Sequence, residues 1–377
     1  MRELAGKITD FIKKDPILVI SGILAAVSCF IVPPDTEYIG YINFRVLAIL
    51  MSLMLVVAIL LRIGTFDFLT DRLLGKLTTS RNVCLLLTIL SFIMAMFLTN
   101  DVTLVTLVPF SIAVLKSFDN RRTLMFTLIL MTVAANLGSM FTPIGNPQNL
   151  YLYTKYHMGL LPFLKLMAPY SALSLVLTVV AVIILCRNKK SEYKCITEVP
   201  VPDAKKLTAC IVLFVVCVLA VADIINWIVM FAVVVAAVAV MDRKAFKYVD
   251  YALLLTFVFF FVLIGNIGRI TYVYDTLSKV VAVSPVLTAV AASQIISNVP
   301  AAMLLSAFTE DGEALVIGTN LGGLGTLIAS MASLITYKFY AAMPRENKNA
   351  GITYLPAFTI VNLIFLVVLV ALWILIR

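Results

Sequence analysis

Residues Asn136–Tyr156, NLGSMFTPIGNPQNLYLYTKY, and Asn320–Tyr340, NLGGLGTLIASMASLITYKFY, are two versions of the same stretch of sequence. Aligned without gaps, they are identical at eight of 21 positions, where composition alone would give roughly one or two. Each stretch interrupts apolar sequence with a run rich in Gly, Asn, Ser or Thr. The pair indicates an internal repeat in which each copy contains a helix broken near its middle.

The chain around these stretches has the composition of an integral membrane protein. Of its 377 residues, 62% are hydrophobic and 13% are charged, and the mean hydropathy is +1.07. Soluble domains are about 45–50% apolar and about 25% charged. At about 20 apolar residues per crossing, the length accommodates roughly nine to twelve spanning helices and no soluble domain. Any functional site must therefore lie within the lipid bilayer.

Apolar runs between charged residues predict nine full crossings. Two of them contain the interrupted stretches, at 122–158 and 313–336. The other seven lie near 17–32, 44–63, 161–186, 207–222, 225–241, 251–268 and 354–376. Two further apolar segments, 82–117 and 285–308, carry polar residues at their middle, which favours re-entrant helix hairpins over crossings.

The distribution of basic residues predicts a cytoplasmic N-terminus. With both hairpins returning to their own side, all but six of the 29 Lys and Arg lie on the cytoplasmic face. If 82–117 crossed an odd number of times, the cluster Lys116, Arg121 and Arg122 would move outside, so the charge bias favours the hairpin. Because these charges are dispersed between apolar runs, they predict topology and no nucleic-acid partner.

The predicted elements form two units of the same order. Residues 1–186 are the first unit and 223–377 the second, while 187–222 supplies a cytoplasmic basic loop and one linking helix. Each unit contains two crossings, a surface helix, a hairpin, a broken crossing and a final crossing. Because one unpaired helix separates the units, the second is inverted relative to the first. An all-α fold with inverted repeats and broken helices is typical of secondary transporters.

Polar residues at the interruptions are candidate binding groups. In Thr142–Asn149, TPIGNPQN, two prolines remove amide donors and free upstream carbonyls. Those carbonyls, with oxygens of Thr142, Asn146 and Asn149, can hold sodium, and the amides that start the next half-helix can hold an anion. A packed proline kink is the alternative. At the hairpin turns, Asn and Ser are either binding groups or plain helix caps.

Asp101 is the most informative single residue. An ionisable carboxylate near the bilayer centre costs at least a few kcal/mol and usually marks an ion or proton pathway. Asp101 can ligate sodium or carry a proton, and the alternative is a cap in a water-filled vestibule. A single histidine, His157, and six cysteines without a C-x-x-C motif provide no zinc site. We expect no cofactor beyond a coupling ion, Na⁺ or H⁺, and no enzymatic activity.

These motifs resemble the ion-transporter superfamily, which contains divalent-anion/sodium symporters, citrate carriers and arsenite permeases. The turns TND and ISNVP are similar to its Ser-Asn-Thr turns, and SMFTPIGNPQN with GLGTLIAS is similar to its paired loops. The likeness covers nearly the whole chain and looks closest to the uncharacterised bacterial anion-permease branch. It implies one substrate site flanked by two cation sites, in an elevator-type transport domain on a scaffold that is often dimeric.

Carried over by position, the resemblance implies two sets of site residues. Substrate contacts would come from Asn100, Thr142, Asn298 and Thr326. Cation-binding or coupling groups would be Thr99, Asp101, Gly138, Asn146, Ser297, Asn320 and Gly323. The sequence departs from the family pattern at Asp101 and Val299, where the family has Thr. An anionic Asp101 repels a dicarboxylate unless a cation or proton neutralises it, which gives weight to a neutral or cationic substrate.

Together these features predict a secondary active transporter of the bacterial inner membrane. It would move a small inorganic or organic anion by alternating access, with sodium or proton coupling through Asp101. Efflux of arsenite-like oxyacids and sodium/proton exchange are the alternatives within transport. An intramembrane enzyme is disfavoured because the sequence has no G-x-G-D pair and no nucleophile–base pair, and saturable coupled flux would distinguish a transporter from a channel.

Overall fold

The computed structural model describes residues 16–74, 77, 79–116, 121–188, 201–343 and 353–376. These residues form helices and connecting loops, with no β-strand among them. Residues 189–200, most of the predicted cytoplasmic basic loop, lie outside the described residues.

The described residues form 18 α-helices and one 3₁₀ helix. The first nine are α1 (Pro16–Ile31), α2 (Glu37–Tyr41), α3 (Phe44–Arg62), α4 (Thr65–Leu74), α5 (Ser80–Leu98), α6 (Asn100–Lys116), α7 (Arg121–Ser139), α8 (Pro147–Lys155) and α9 (Leu160–Leu185). The next five are α10 (Ala204–Val221), α11 (Trp227–Met241), α12 (Tyr251–Gly268), α13 (Thr271–Val283) and α14 (Pro285–Ile296), with the 3₁₀ helix (Arg243–Tyr248) before α12. The last four are α15 (Asn298–Leu305), α16 (Gly312–Gly322), α17 (Met331–Ala341) and α18 (Tyr354–Ile376).

Seven of these helices are long and apolar enough to cross a membrane, namely α3, α5, α7, α9, α10, α12 and α18. The helix pair α13–α14, which bends by 112°, makes eight if it is one span. The seven differ from the nine predicted crossings in their members: α5, which belongs to the predicted hairpin 82–117, is among them, whereas α1, α11 and the broken pair α16–α17 are not. Two predicted crossings are the helices α1 and α11, of 16 and 15 residues. At about 1.5 Å per residue they span about 22–24 Å, less than the roughly 30 Å of the hydrocarbon core.

Both predicted breaks occur where the sequence places them. The first separates α7 from α8 and the second separates α16 from α17. The residues that precede α8 and α17, Asn146 and Ser330, have nearly the same backbone angles, φ −149° and ψ 139° against φ −143° and ψ 137°. Pro147 starts α8, where its missing amide hydrogen leaves no helical bond unmade.

Two helix pairs have one-residue turns of matching conformation. Thr99 joins α5 to α6 with φ 78° and ψ 149°, and Ser297 joins α14 to α15 with φ 72° and ψ 155°. Positive φ is uncommon for residues with a side chain. After each turn an asparagine starts the next helix, and the Oδ1 atom of Asn100 or Asn298 accepts a hydrogen bond from the following amide, at 2.9 and 3.0 Å. The two turns are thus one local structure used twice.

Helix packing divides the described residues into two groups. In the α12 group, α1 packs on α12, and α3 packs on α10, α11 and α12. In the α7 group, α7 packs on α5, α6, α9, α17 and α18, while α16 packs on α7, α8, α14 and α15. The groups meet where α3 contacts α8 and α12 contacts α15. Tyr151 of α8 lies against Phe257 and Phe261 of α12, with ring centroids 6.4 and 5.8 Å apart.

Two reciprocal ion pairs hold opposite ends of the α12 group. Arg62 Nε, at the end of α3, lies 2.6 Å from Asp242 Oδ2, which follows α11. Arg269 Nη1, after α12, lies 2.6 Å from Asp35 Oδ2, which follows α1. Each pair joins the second helix of one predicted unit to the residues after the first helix of the other. The same Arg–Asp contact is therefore made twice, once from each predicted unit to the other.

Candidate functional site

A buried cluster of amide and hydroxyl side chains joins the first turn to both helix breaks. Asn100 Nδ2 donates to Asn136 Oδ1 at 2.9 Å and to Ser330 Oγ at 3.5 Å. Ser330 Oγ donates to the same Asn136 Oδ1 at 2.9 Å, and Asn136 Nδ2 donates to the Gly323 carbonyl at 3.4 Å. The start of α6, the end of α7 and the second interrupted loop are thereby brought together.

The pseudo-symmetric asparagine of α16 makes an analogous contact. Asn320 Nδ2 donates to Asn149 Oδ1 at 2.6 Å, and Asn149 Nδ2 donates to the carbonyls of Ser139 and Thr142, each at 3.2 Å. Asn320 Oδ1 is buried and has no hydrogen-bond partner within the described part of the chain. An amide oxygen of this kind can accept a hydrogen bond or coordinate a cation.

The second turn lies against the second interrupted loop. The Asn298 amide donates to the Ala329 carbonyl at 3.0 Å, and Ser297 Oγ donates to the same oxygen at 3.5 Å. A Cβ atom built on Gly323 would lie 3.1 Å from Asn298 Nδ2. The loop 323–330 therefore contacts both turns, since its Ser330 bonds to Asn100 at the first turn.

Thr142 and Thr326, which the resemblance implies as substrate contacts, both bond to main-chain carbonyls. Thr142 donates to the carbonyl of Met96, and Thr326 Oγ1 donates to that of Gln294 at 3.1 Å. Met96 and Gln294 each stand three residues before their turn. Each hydroxyl therefore fastens an interrupted loop to the helix that precedes the turn. The Thr142 oxygen also accepts a hydrogen bond from the Gly145 amide at 3.0 Å.

Gly138 and Asn146, which the resemblance implies as cation-binding groups, lie at the first break. A Cβ atom on Gly138 would lie 2.0 Å from the Phe92 carbonyl oxygen, so glycine allows α7 to approach α5 closely. Asn146 Nδ2 donates to Ser139 Oγ at 3.4 Å. Both residues border the polar cluster, and Gly138 has an evident steric role in addition to any role of its backbone.

Asp101 lines a small cavity between the two helix groups. Its Oδ1 atom is buried and has no hydrogen-bond partner in the described ranges. The cavity has a volume of about 40 Å³, which is room for one or two water molecules. Its lining residues are Ile17, Leu18, Asp101, Asp250, Ala252, Leu253, Thr256, Ser297, Val299, Pro300 and Met331. None of these described residues is Lys, Arg or His.

Four helices begin at the polar cluster and its loops. They are α6, α8, α15 and α17, and α6 packs against α17 while α8 packs against α15. The unpaired amides of a helix N-terminus carry a partial positive charge and favour anions. The site therefore combines main-chain positive potential with a carboxylate at Asp101. This arrangement can bind an anion and a cation side by side.

Three residues of the cluster were not predicted as site residues. Asn136 and Ser330 align with Asn320 and Asn146 in the internal repeat, so the repeat itself contained the signal. Gln294 is an isolated amide in the apolar helix α14, and its Nε2 atom donates to the carbonyls of Gly322 and Leu324, each at 2.9 Å. The sequence pattern does not distinguish a glutamine that donates to the free carbonyls of a broken helix from one that faces solvent.

Apolar helices that break around a buried polar centre are the construction of a membrane transporter. The family model described as CitMHS, citrate transporter, matches residues 11–311, and the chain belongs to this family. Its relatives include an uncharacterized transporter of Methanocaldococcus jannaschii, 32% identical over 93% of this chain and 94% of that protein. The inner membrane protein YbiR of Escherichia coli is 28% identical over 85% of this chain and 86% of that protein. A Dictyostelium discoideum protein that carries the transporter name arsB is 28% identical over 44% of this chain and 30% of its own length.

Proposed function

We propose that this protein is a secondary transporter that moves a small anion across the inner membrane together with sodium. The observation that carries the proposal is the meeting of four helix N-termini at one polar cluster, because they supply positive potential without a cationic side chain. The E. coli relative named as an inner membrane protein supports the location.

Sodium coupling follows from the carboxylate of Asp101. An anion close to an unneutralised carboxylate is repelled strongly where the effective dielectric is low. A bound cation removes that repulsion, so that anion and cation bind more tightly together than apart. The unpartnered Oδ1 atoms of Asp101 and Asn320 supply hard oxygen ligands of the type that sodium prefers.

We further propose that the α7 group moves as an elevator against the α12 group, which serves as the scaffold. The helix pairs around Thr99 and Ser297 act as re-entrant hairpins of two inverted repeats, with the N-terminus cytoplasmic. The matching turn angles and the reciprocal ion pairs support this symmetry. The cavity beside Ile17 and Asp250 lies at the starts of α1 and α12, which are the ends predicted to be cytoplasmic, so we assign this arrangement to the inward-facing state.

Thermal unfolding of the detergent-purified protein tests the cargo and the coupling ion. The panel contains phosphate, sulfate, citrate, succinate and arsenite, each measured with sodium chloride or choline chloride at equal ionic strength. A ligand at about 100 times its dissociation constant stabilises the folded state by about 2.7 kcal/mol. We expect one class of anion to raise the unfolding midpoint only in sodium. An anion effect that is equal in choline would overturn sodium coupling.

Substitution of the turn asparagines tests the shared site. We expect Asn100→Ala and Asn298→Ala each to weaken the response to the stabilising anion, because the two side chains flank the same loop 323–330. Asn82→Ala, near the start of α5, is a control outside the cluster. Loss of binding in only one of the two turn variants would contradict a site built from both turns.

A second candidate is efflux of an uncharged oxyacid such as arsenous acid. It is favoured by the two carboxylates and the absence of cationic side chains among the described residues that line the cavity. In that case arsenite should raise the midpoint in choline as well as in sodium, and should do so best at a pH below the first pKa of arsenous acid. The citrate and sulfate arms of the same panel would then show no effect.

A further inference from the structure

We propose that Asp101 and Asp250 together bind a sodium ion in the cavity between the two helix groups. The inference deepens the proposed function, on which it rests, by adding a scaffold residue to the coupling site. Asp101 belongs to the first turn of α6, in the α7 group, and Asp250 precedes α12, in the α12 group. The ion would therefore be held by both groups at once.

The orientation of Asp250 leaves a carboxylate oxygen for this ion. Its Oδ1 atom accepts a hydrogen bond from the Leu253 amide at 2.9 Å and so caps α12. The cap uses one oxygen of the carboxylate. Asp101 contributes a buried Oδ1 atom that has no hydrogen-bond partner elsewhere in the described chain. Each aspartate thus offers coordinating capacity to the cavity that both residues line.

The remaining polar groups of the cavity are also oxygen ligands. Thr256 Oγ1 donates its hydrogen to the Ala252 carbonyl at 2.8 Å, which leaves its lone pairs to coordinate an ion. Ser297 contributes a second hydroxyl. Carboxylate and hydroxyl oxygens suit a hard cation, and a cavity of about 40 Å³ fits an ion with a water molecule.

The site couples ion binding to the arrangement of the helix groups. Two carboxylates that line the same cavity repel each other, and this repulsion opposes the approach of the α7 group to the start of α12. A sodium ion reverses the sign of the interaction and holds the groups together. Release of the ion to the cytoplasm restores the repulsion and favours departure of the α7 group. Asp250 therefore acts as a latch whose closure depends on sodium.

A sodium titration of the full-length protein in detergent tests the latch. The unfolding midpoint is followed as sodium replaces choline at constant ionic strength, for the wild type, Asp250→Asn and Asp203→Asn. Asparagine keeps the acceptor that caps α12 and removes only the charge. Asp203 is the matched control, because it caps α10 by accepting from the Lys205 amide at 2.9 Å and is absent from the cavity lining. We expect the half-saturating sodium concentration to rise at least about tenfold in Asp250→Asn and to stay unchanged in Asp203→Asn.

Three results would overturn the proposal, and they differ in what they imply for the transporter. An unchanged sodium response in Asp250→Asn, together with a lost response in Asp101→Asn, would remove Asp250 from the site and leave sodium coupling intact. Equal losses in Asp250→Asn and Asp203→Asn would show a general effect of surface charge. A wild type that does not respond to sodium would refute both the latch and sodium coupling.

Discussion

At the scale of the residue, Asp101 supplies the negative charge on which the proposed sodium coupling depends. Asp101→Asn replaces the carboxylate with an amide of nearly the same shape, so the packing of the α6 start is kept while the charge is lost. We expect the variant to fold and to bind or exchange cargo without dependence on a sodium gradient. Flux into proteoliposomes with and without inward sodium measures this. Wild-type coupling stoichiometry in the variant would exclude Asp101 as the coupling residue.

A substitution at Gly138 can distinguish two roles of this residue, close packing of α7 against α5 and binding of a cation by its backbone. A methyl group at this position would lie 2.0 Å from the Phe92 carbonyl oxygen, which belongs to rigid helix backbone. We expect Gly138→Ala to be destabilised by at least about 1–3 kcal/mol, as in overpacked cores. Gly268→Ala is the matched control, because a Cβ there meets no atom within 4 Å. The unfolding midpoints of both variants measure the difference, and a normally stable Gly138→Ala that lost only its sodium response would identify a backbone cation ligand instead.

Individual site residues differ in how far the sequence predicts their surroundings. Asn100 and Asn298 stand out because amides are rare in apolar helices, and the structure brings both to one loop. That the Thr142 and Thr326 hydroxyls donate to helix carbonyls was not predictable. A threonine hydroxyl bonds whichever acceptor tertiary packing brings within reach, and sequence spacing does not specify that acceptor.

At the scale of the element, the reciprocal ion pairs make helix ends pH-sensitive. The hydrogen bond from Arg62 lowers the pKa of Asp242, and that from Arg269 lowers the pKa of Asp35, each below the usual 3.8. Since a lowered pKa in the folded state favours the ionised form, both pairs stabilise the fold above about pH 4, and this contribution is lost as the pH falls through the lowered pKa values. We expect the unfolding midpoint to drop below about pH 4.

Asp242→Asn tests this contribution at one end of the group. The amide keeps the bond that Asp242 Oδ1 accepts from the Lys244 amide at 3.0 Å, and removes the charge that pairs with Arg62. We expect a loss of about 0.2–1 kcal/mol at neutral pH, as for partly exposed pairs, and a smaller fall of the midpoint in acid. Parallel acid transitions in the variant and the wild type would show that other carboxylates dominate.

Element boundaries were predictable wherever a chemical signal marks them. The breaks before α8 and α17 coincide with Pro, Gly and Ser runs, which destabilise a helix locally whatever surrounds it. The lengths of α1 and α11 were not predictable in the same way. An apolar run shows that a segment can lie in lipid, but helix ends also depend on caps such as the Asn226 side chain, which accepts from the Ile228 amide at 2.8 Å.

At the scale of the whole molecule, the relative placement of the two helix groups determines the proposed state. The cavity puts Asp101 beside Asp250 at the start of α12. No local pattern encodes this proximity, because the two residues belong to groups that meet through few elements. The internal repeat predicts that both units contribute to one site, whereas the height of one group against the other is not predicted by it and would change during the proposed elevator movement.

Cross-linking across the boundary between the groups tests whether they slide. Tyr151 of α8 and Phe261 of α12 have ring centroids 5.8 Å apart across the boundary, whereas Tyr153 of α8 and Phe163 of α9 have centroids 6.0 Å apart within the α7 group. All four side chains are buried. Each pair is changed to cysteines in a background without native cysteines and joined with a short bifunctional thiol reagent in proteoliposomes.

An elevator must separate the first pair in every cycle and must leave the second pair together. We therefore expect the Tyr151→Cys/Phe261→Cys cross-link to abolish cargo flux and the Tyr153→Cys/Phe163→Cys cross-link to preserve it. The uncross-linked variants, measured in parallel, account for any effect of the substitutions themselves. If the first cross-link left flux intact, the contact of α8 with α12 would have to persist through the cycle. The cargo site would then keep a fixed height relative to α12. It could open to the opposite side of the membrane only if the helices that form it rearranged within the α7 group.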